Sequence, residues 1–243
     1  RGAGWFRGEV LDSTLTPAGP LYALERVLRA QGEVEEVLPY ADRFLEADPG
    51  STGPRYLKLR VLVEVDALDE VRAEGERWIQ HDPGAAEPYR EVARVLGEVL
   101  GGEAAEAILQ EGIVRADRGY DLALDLGDLR FRGGDFRGAG EAWAAAVGPS
   151  GENGPAVVRR VSRLEGERGE VLEPMIASLG GEGEPTGRRR VATQLALEGG
   201  LAPETLELAE SVVAELDPAG RRAFLTELSR QSEERRVDAV TLW

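Results

Sequence analysis

The tripeptide Arg-Val-Leu occurs three times, at 26–28, 60–62 and 94–96, with equal intervals between the copies. Other markers keep that step. Gly19-Pro20 returns as Gly53-Pro54, Tyr22 as Tyr56, and Asp48-Pro49 as Asp82-Pro83. A fixed step of this length is the sequence mark of a helical repeat array, in which each unit buries its apolar face on the next. Such an array has no central core and grows by stacking, so the 243 residues are compatible with a single run of units.

The local pattern predicts a helix pair per unit. In the first, Pro20 suits a helix start, where its missing N–H costs nothing. Leu21, Leu24 and Leu28 recur on one helical face. Gln31-Gly32 breaks the helix, and a second runs from about Glu33 until Asp48-Pro49 ends it. In the second unit Pro54 opens, Asp66 marks the turn, and Leu68 to Gln80 return. Trp78 follows Phe44 by one full step, so a large aromatic fills the same slot. The third unit runs from Pro88 through Gly101-Gly102 to Asp117, with a return helix that reads slightly out of register. The fourth reads Leu126-Gly127, Gly134-Asp135-Phe136, Ala139, Trp143 and Ala146.

That fourth unit resembles the tetratricopeptide repeat: a Leu-Gly pair in the first helix, a Gly-Asp-aromatic turn, then small and aromatic residues alternating along the second. Gln31-Gly32-Glu33-Val34 and Ala47-Asp48-Pro49 follow the same pattern, and the unit length is the family's. Glu25 departs from it, standing where glycine is usual. The resemblance implies an all-α helix-turn-helix repeat solenoid wound as a right-handed superhelix, with the first helix of each unit lining a concave groove. The expected division is an extended lead-in over 1–18 carrying Trp5 and Phe6, four tetratricopeptide-like repeats over 19–153, two degenerate helix pairs over 154–218, and a capping segment over 219–243. In the degenerate part Pro174 predicts a late helix start or a kink, and 180–187 reads as a mobile joint. Arg221, Arg222 and the charged run 233–236 suit a polar cap.

Composition narrows the function classes. Net charge is −16, from 29 basic and 45 acidic residues. That opposes duplex nucleic acid and anionic membrane surfaces as partners. No apolar run approaches the length of a membrane span. There is no cysteine, which removes thiolate metal sites and cysteine nucleophiles. Lys58 is the sole lysine, and such arginine bias fits a GC-rich bacterial genome. Start at Arg1 fits a mature secreted chain, a fragment or the ordered part of something longer, and both cytoplasmic and periplasmic or secreted settings stay open.

No catalytic constellation, cofactor motif or metal set is expected. His81, the only histidine, falls at a helix end with no nucleophile placed beside it. Asp121, Asp125 and Asp128 share one helix face and read better as a solvated face than as a cation site. Arg188-Arg189-Arg190 opens a helix, where cations are unfavourable, and reads as an anion contact or a solvated end. The candidate site is instead a row. Tyr22, Arg26 and Arg29 share one face of the first helix, Tyr56, Arg60 and Val63 repeat it, and Arg90 and Arg94 follow. The resemblance places Arg26, Arg60 and Arg94 as a ladder along the groove. Two readings stand: the ladder grips the carboxylates of an acidic or tyrosine-containing peptide, or it balances acidic neighbours and binds nothing. The chain therefore reads as a non-catalytic protein-binding scaffold, or as a structural subunit that stacks on itself or on other proteins in a larger assembly.

Overall fold

A computed structural model describes residues 18–234; the lead-in with Trp5, Phe6 and Pro17, and the last residues through Trp243, lie outside them. Among the described residues the chain is all helical, with thirteen α-helices and no strand. It divides into two compact units, one up to Asp117 and one from Arg118.

The first unit holds α1 (Gly19–Gln31), a 3-10 turn (Val34–Val37), α2 (Leu38–Ala47), α3 (Thr52–Glu64), α4 (Leu68–His81), α5 (Ala86–Leu100) and α6 (Gly102–Arg115). Gly32 closes α1 in the left-handed region at φ 76°, and the amides of Gly32 and Glu33 turn back to Arg29 and Leu28. The second helix does not begin at Glu33 as the pattern predicts. Pro39 fixes the first turn of α2 at Leu38, and residues 34–37 tighten into the 3-10 turn before it. Leu21, Leu24, Leu28, Val37, Ala41, Leu57 and Val61 form the core joining α1, α2 and α3. Further along, α3 packs on α4 and α5, and α5 packs on α6.

Both bounds of α6 lie one repeat step beyond those of α4, so the third return helix is in register. It reads as shifted because large and small residues change places. Gly75 and Trp78 of α4 correspond to Leu109 and Gly112 of α6. The same interhelical gap is filled from a different position.

The second unit holds α7 (Gly119–Arg132), α8 (Phe136–Ala145), α9 (Gly154–Ser162), α10 (Arg168–Leu179), α11 (Thr186–Glu198), α12 (Ala202–Glu215) and α13 (Pro218–Glu234). Asp135 caps α8 by accepting the Gly138 amide at 2.9 Å. Gly127 is required by packing: a Cβ there would collide with the indole of Trp143, which is 2% exposed. Trp143 stacks on Phe131 with centroids 5.6 Å apart. Trp78 is buried likewise, whereas Phe44 is only half-buried against the first core. α10 runs through Pro174 without ending; the ring packs beside Gly140 of α8. Val157, Val161, Val171, Met175, Leu179, Val191 and Leu195 carry the core onward, and Phe224 and Leu228 seat α13 on Leu197, Ala209 and Val212.

Candidate functional site

The first helices of successive pairs are tied by polar rungs whose partners lie 31–35 residues apart in sequence. Between α1 and α3, Arg29 meets Glu64 at 2.5 Å, and Arg60 meets Glu25 at 3.1 Å. Glu25 also accepts Arg29 at 2.7 Å, and it is buried. Its departure from glycine thus has a structural purpose: it is the acceptor at the centre of this junction. Between α3 and α5, the Tyr56 hydroxyl donates to Glu87 at 2.7 Å, while the Tyr56 ring meets Trp78 edge-on at 5.1 Å. Burial, and then the bond to Glu87, push the Tyr56 phenol well above its ordinary range, because both disfavour the phenolate.

Above these rungs lies a concavity of about 370 Å³. Tyr22 from α1 forms one wall. Gly53, Tyr56, Leu57, Arg60 and Val63 from α3 form the floor, and Arg94, Val95 and Glu98 from α5 close it. Gly53 lets Tyr22 lie against the start of α3, since a Cβ there would strike the Tyr22 hydroxyl. Five residues of the sequence-derived row, Tyr22, Tyr56, Arg60, Val63 and Arg94, therefore share one cavity. Arg29 stands beside it, tied to Glu25 and Glu64; Arg26 is exposed on α1 and Arg90 half-buried on α5, and neither lines it.

The electrostatics are more balanced than the arginine row alone implies. Arg94 is paired with Glu91 at 3.0 Å and Glu98 at 3.1 Å, both on its own helix. The two carboxylates of the α1–α3 junction together raise the Arg29 guanidinium pKa, the bond to Glu25 first. The acidic partners Glu25, Glu64, Glu87, Glu91 and Glu98 were not singled out by the row. The signal that finds four of them is opposite charge about one repeat apart, or one helical turn apart; Glu87 meets a tyrosine hydroxyl and carries no such signal.

Two other charged features acquire structural roles. Asp128 accepts the Arg160 guanidinium at 2.7 and 2.8 Å and the Trp143 indole at 3.0 Å. Asp121 accepts the Asn153 amide at 2.9 Å. The acidic row of α7 is thus not a solvated face but the staple that holds α9. The bond to Asp128, which outweighs burial, raises the Arg160 pKa. The arginine run at 188–190 is likewise consumed internally. Arg188 donates to the Val147 carbonyl, Arg189 reaches the Ser211 carbonyl and Glu215, and Arg190 lies over the Phe224 ring at 5.3 Å. Arg189 also holds the Glu184 carbonyl at 3.0 Å, which ties segment 180–187 to α11.

Among the described residues no cluster of histidine and carboxylates could hold a metal ion, and no helix is long and apolar enough to cross a membrane. No family model matches the chain, and no curated protein matches it. Among solved structures it is similar to one described as "Crystal structure of MamA", at 15% identity over 73% of this chain and 95% of that chain, with a TM-score of 0.38.

Proposed function

We propose that this chain is a non-catalytic, tetratricopeptide-like interaction module that binds a peptide segment of a partner protein in the groove between α1, α3 and α5. The observation that carries the reading is the convergence of Tyr22, Tyr56, Arg60 and Arg94 on one cavity with the apolar floor of Leu57, Val63 and Val95. Tyrosine supplies rigid amphipathic area, and arginine supplies a planar donor fork. Two guanidiniums line the cavity; Arg60 gives one bond to Glu25 and Arg94 one each to Glu91 and Glu98, and a guanidinium carries five N–H donors, so both can still bind a further carboxylate. The partner is therefore a segment with an acidic side chain and a neighbouring tyrosine or aliphatic residue. Its association is slowed at long range by the net charge of −16 and favoured only at contact.

A photoreactive amino acid at Val63, with an equivalent probe at exposed Arg137 as control, tests the reading in native extract. Cross-links at Val63 that vanish in Tyr22→Ala support it. Equal capture at the two positions argues against a dedicated groove.

One observation favours the second reading, a subunit of a larger assembly. On the last described pair, Leu206, Ala209, Val213, Leu225 and Leu228 line a mostly apolar groove of about 200 Å³, rimmed by Glu210, Ser229 and Ser232. Light scattering of the wild type and of Leu206→Glu separates the two: an oligomer lost in the variant supports assembly through this face.

A further inference from the structure

The second helix pair contains a buried charge cluster that its neighbours lack. Glu74 of α4 is 1% exposed, Arg55 of α3 is 6% and Lys58 of α3 is 8%. Arg55 donates to one Glu74 oxygen at 3.1 Å, and Lys58 donates to the other at 2.7 Å. Arg77 closes on that second oxygen at 2.8 Å. Lys58 also pairs with Asp42 of α2, and Arg55 donates to the Pro49 carbonyl at 2.9 Å in the turn between α2 and α3. The cluster spans three consecutive helices.

The repeat step gives this cluster its meaning. One step earlier, positions 55, 58 and 74 correspond to Leu21, Leu24 and Tyr40. One step later, they correspond to Tyr89, Val92 and Ile108. Three places that carry only aliphatic residues and tyrosine in the flanking pairs are all charged here, and in the fold they touch.

A chain of similar units has an inherent ambiguity. The first three helix pairs offer similar apolar faces at the same spacing, so a pair can dock in its neighbour's place, within a chain or between chains. The cluster removes that freedom for the second pair. With α4 in the place of α2 against α1, or of α6 against α5, Glu74 would meet Leu21 and Leu24, or Tyr89 and Val92, and keep only Arg77 of its own helix. With α3 seated on α6, Arg55 and Lys58 would face Ile108. Each arrangement strips a buried charge of its buried cross-helix partners, which is strongly unfavourable, whereas the correctly paired cluster contributes little beyond an apolar core of the same volume. We infer that Arg55, Lys58 and Glu74 act as an identity lock, which fixes the register of the second helix pair against its neighbours rather than stabilising the fold.

The neighbouring units supply the test. R55L/K58L/E74Y installs the first pair's residues, and R55Y/K58V/E74I installs the third pair's. Each full-length variant and the wild type are unfolded in urea and refolded over a range of protein concentrations. Urea midpoints are measured, and species are resolved by size-exclusion light scattering and two-dimensional amide spectra. The expected result is midpoints no lower than the wild type's, together with about a tenfold or greater rise in mispaired or domain-swapped species. A single, wild-type-like species from both variants would overturn the lock. Failure of both to fold would overturn it too, because a device for identity must be dispensable for folding.

Discussion

Replacing Asp128 by alanine tests whether the acidic row of α7 is a staple or a wetted surface. Asp128 is the acceptor for the Trp143 indole and for two N–H groups of Arg160. Trp143 is buried, so its orphaned N–H costs about 1–3 kcal/mol. The Arg160–Asp128 pair is close to one-third exposed on each side, at 30% and 32%. A buried charge-assisted pair would be worth more, but solvent screening reduces this one to about 1 kcal/mol. Together these give a loss of about 2–4 kcal/mol for Asp128→Ala. Asp128→Asn keeps an acceptor for the indole and should lose only about 1 kcal/mol. Arg160→Met should lose a similar amount and, combined with Asp128→Ala, show coupling of about 1 kcal/mol. The assay is urea unfolding followed by helical circular dichroism and tryptophan fluorescence. If the alanine and asparagine variants both stay within about 0.5 kcal/mol of the wild type, as surface substitutions do, the row is solvated and the staple is wrong.

Three further outcomes are expected. Lys58, the only lysine, is held between Glu74 and Asp42, so an amine-selective reagent should modify it about 100-fold more slowly in the native protein than in urea; comparable rates would show the cluster open to solvent. Gly127→Ala should destabilise by about 1–3 kcal/mol through collision with Trp143; a stabilisation of about 1 kcal/mol, the ordinary helix-propensity gain, would show that the indole does not press on α7. Tyr56 has a folded-state pKa raised above its ordinary 10.0, so its contribution to stability is complete below that pH and is lost as pH rises toward the folded value; phenolate absorbance should show Tyr56 ionising late, and loss of that late step in Tyr56→Phe would identify it.

The repeat architecture was legible because it rests on periodic apolar residues and on glycine and proline punctuation, which act locally. Gly32 and Asp66 closed turns where the pattern put them, both with positive φ. The start of α2 was missed because Pro39, not the preceding glycine, sets its first turn. The register of α6 was obscured because packing conserves the volume of a gap and not the position that fills it. In the candidate site the aromatic and cationic residues could be read from spacing. Their carboxylate partners could not, since a pair such as Glu25 and Arg60 is defined by the stacking of one helix on another. For the same reason the acidic row of α7 looked exposed: Arg160 and Asn153, which cover it, belong to the next pair.

The claim that a partner occupies the groove is tested most directly at Arg94. Reversal of Arg60 would set a second carboxylate beside buried Glu25 and damage the fold, whereas the ion pairs of Arg94 lie within its own helix, as that of Arg137 with Glu141 does elsewhere on the surface. Arg94→Ala and Arg137→Ala thus remove comparable surface ion pairs, one inside the groove and one outside it. Calorimetric titration of a partner recovered by cross-linking at Val63 should show Arg94→Ala binding about tenfold more weakly, or ~1.4 kcal/mol, with Arg137→Ala unchanged. Equal affinities for the wild type and both variants would contradict the groove and leave the arginine row as internal charge balance alone.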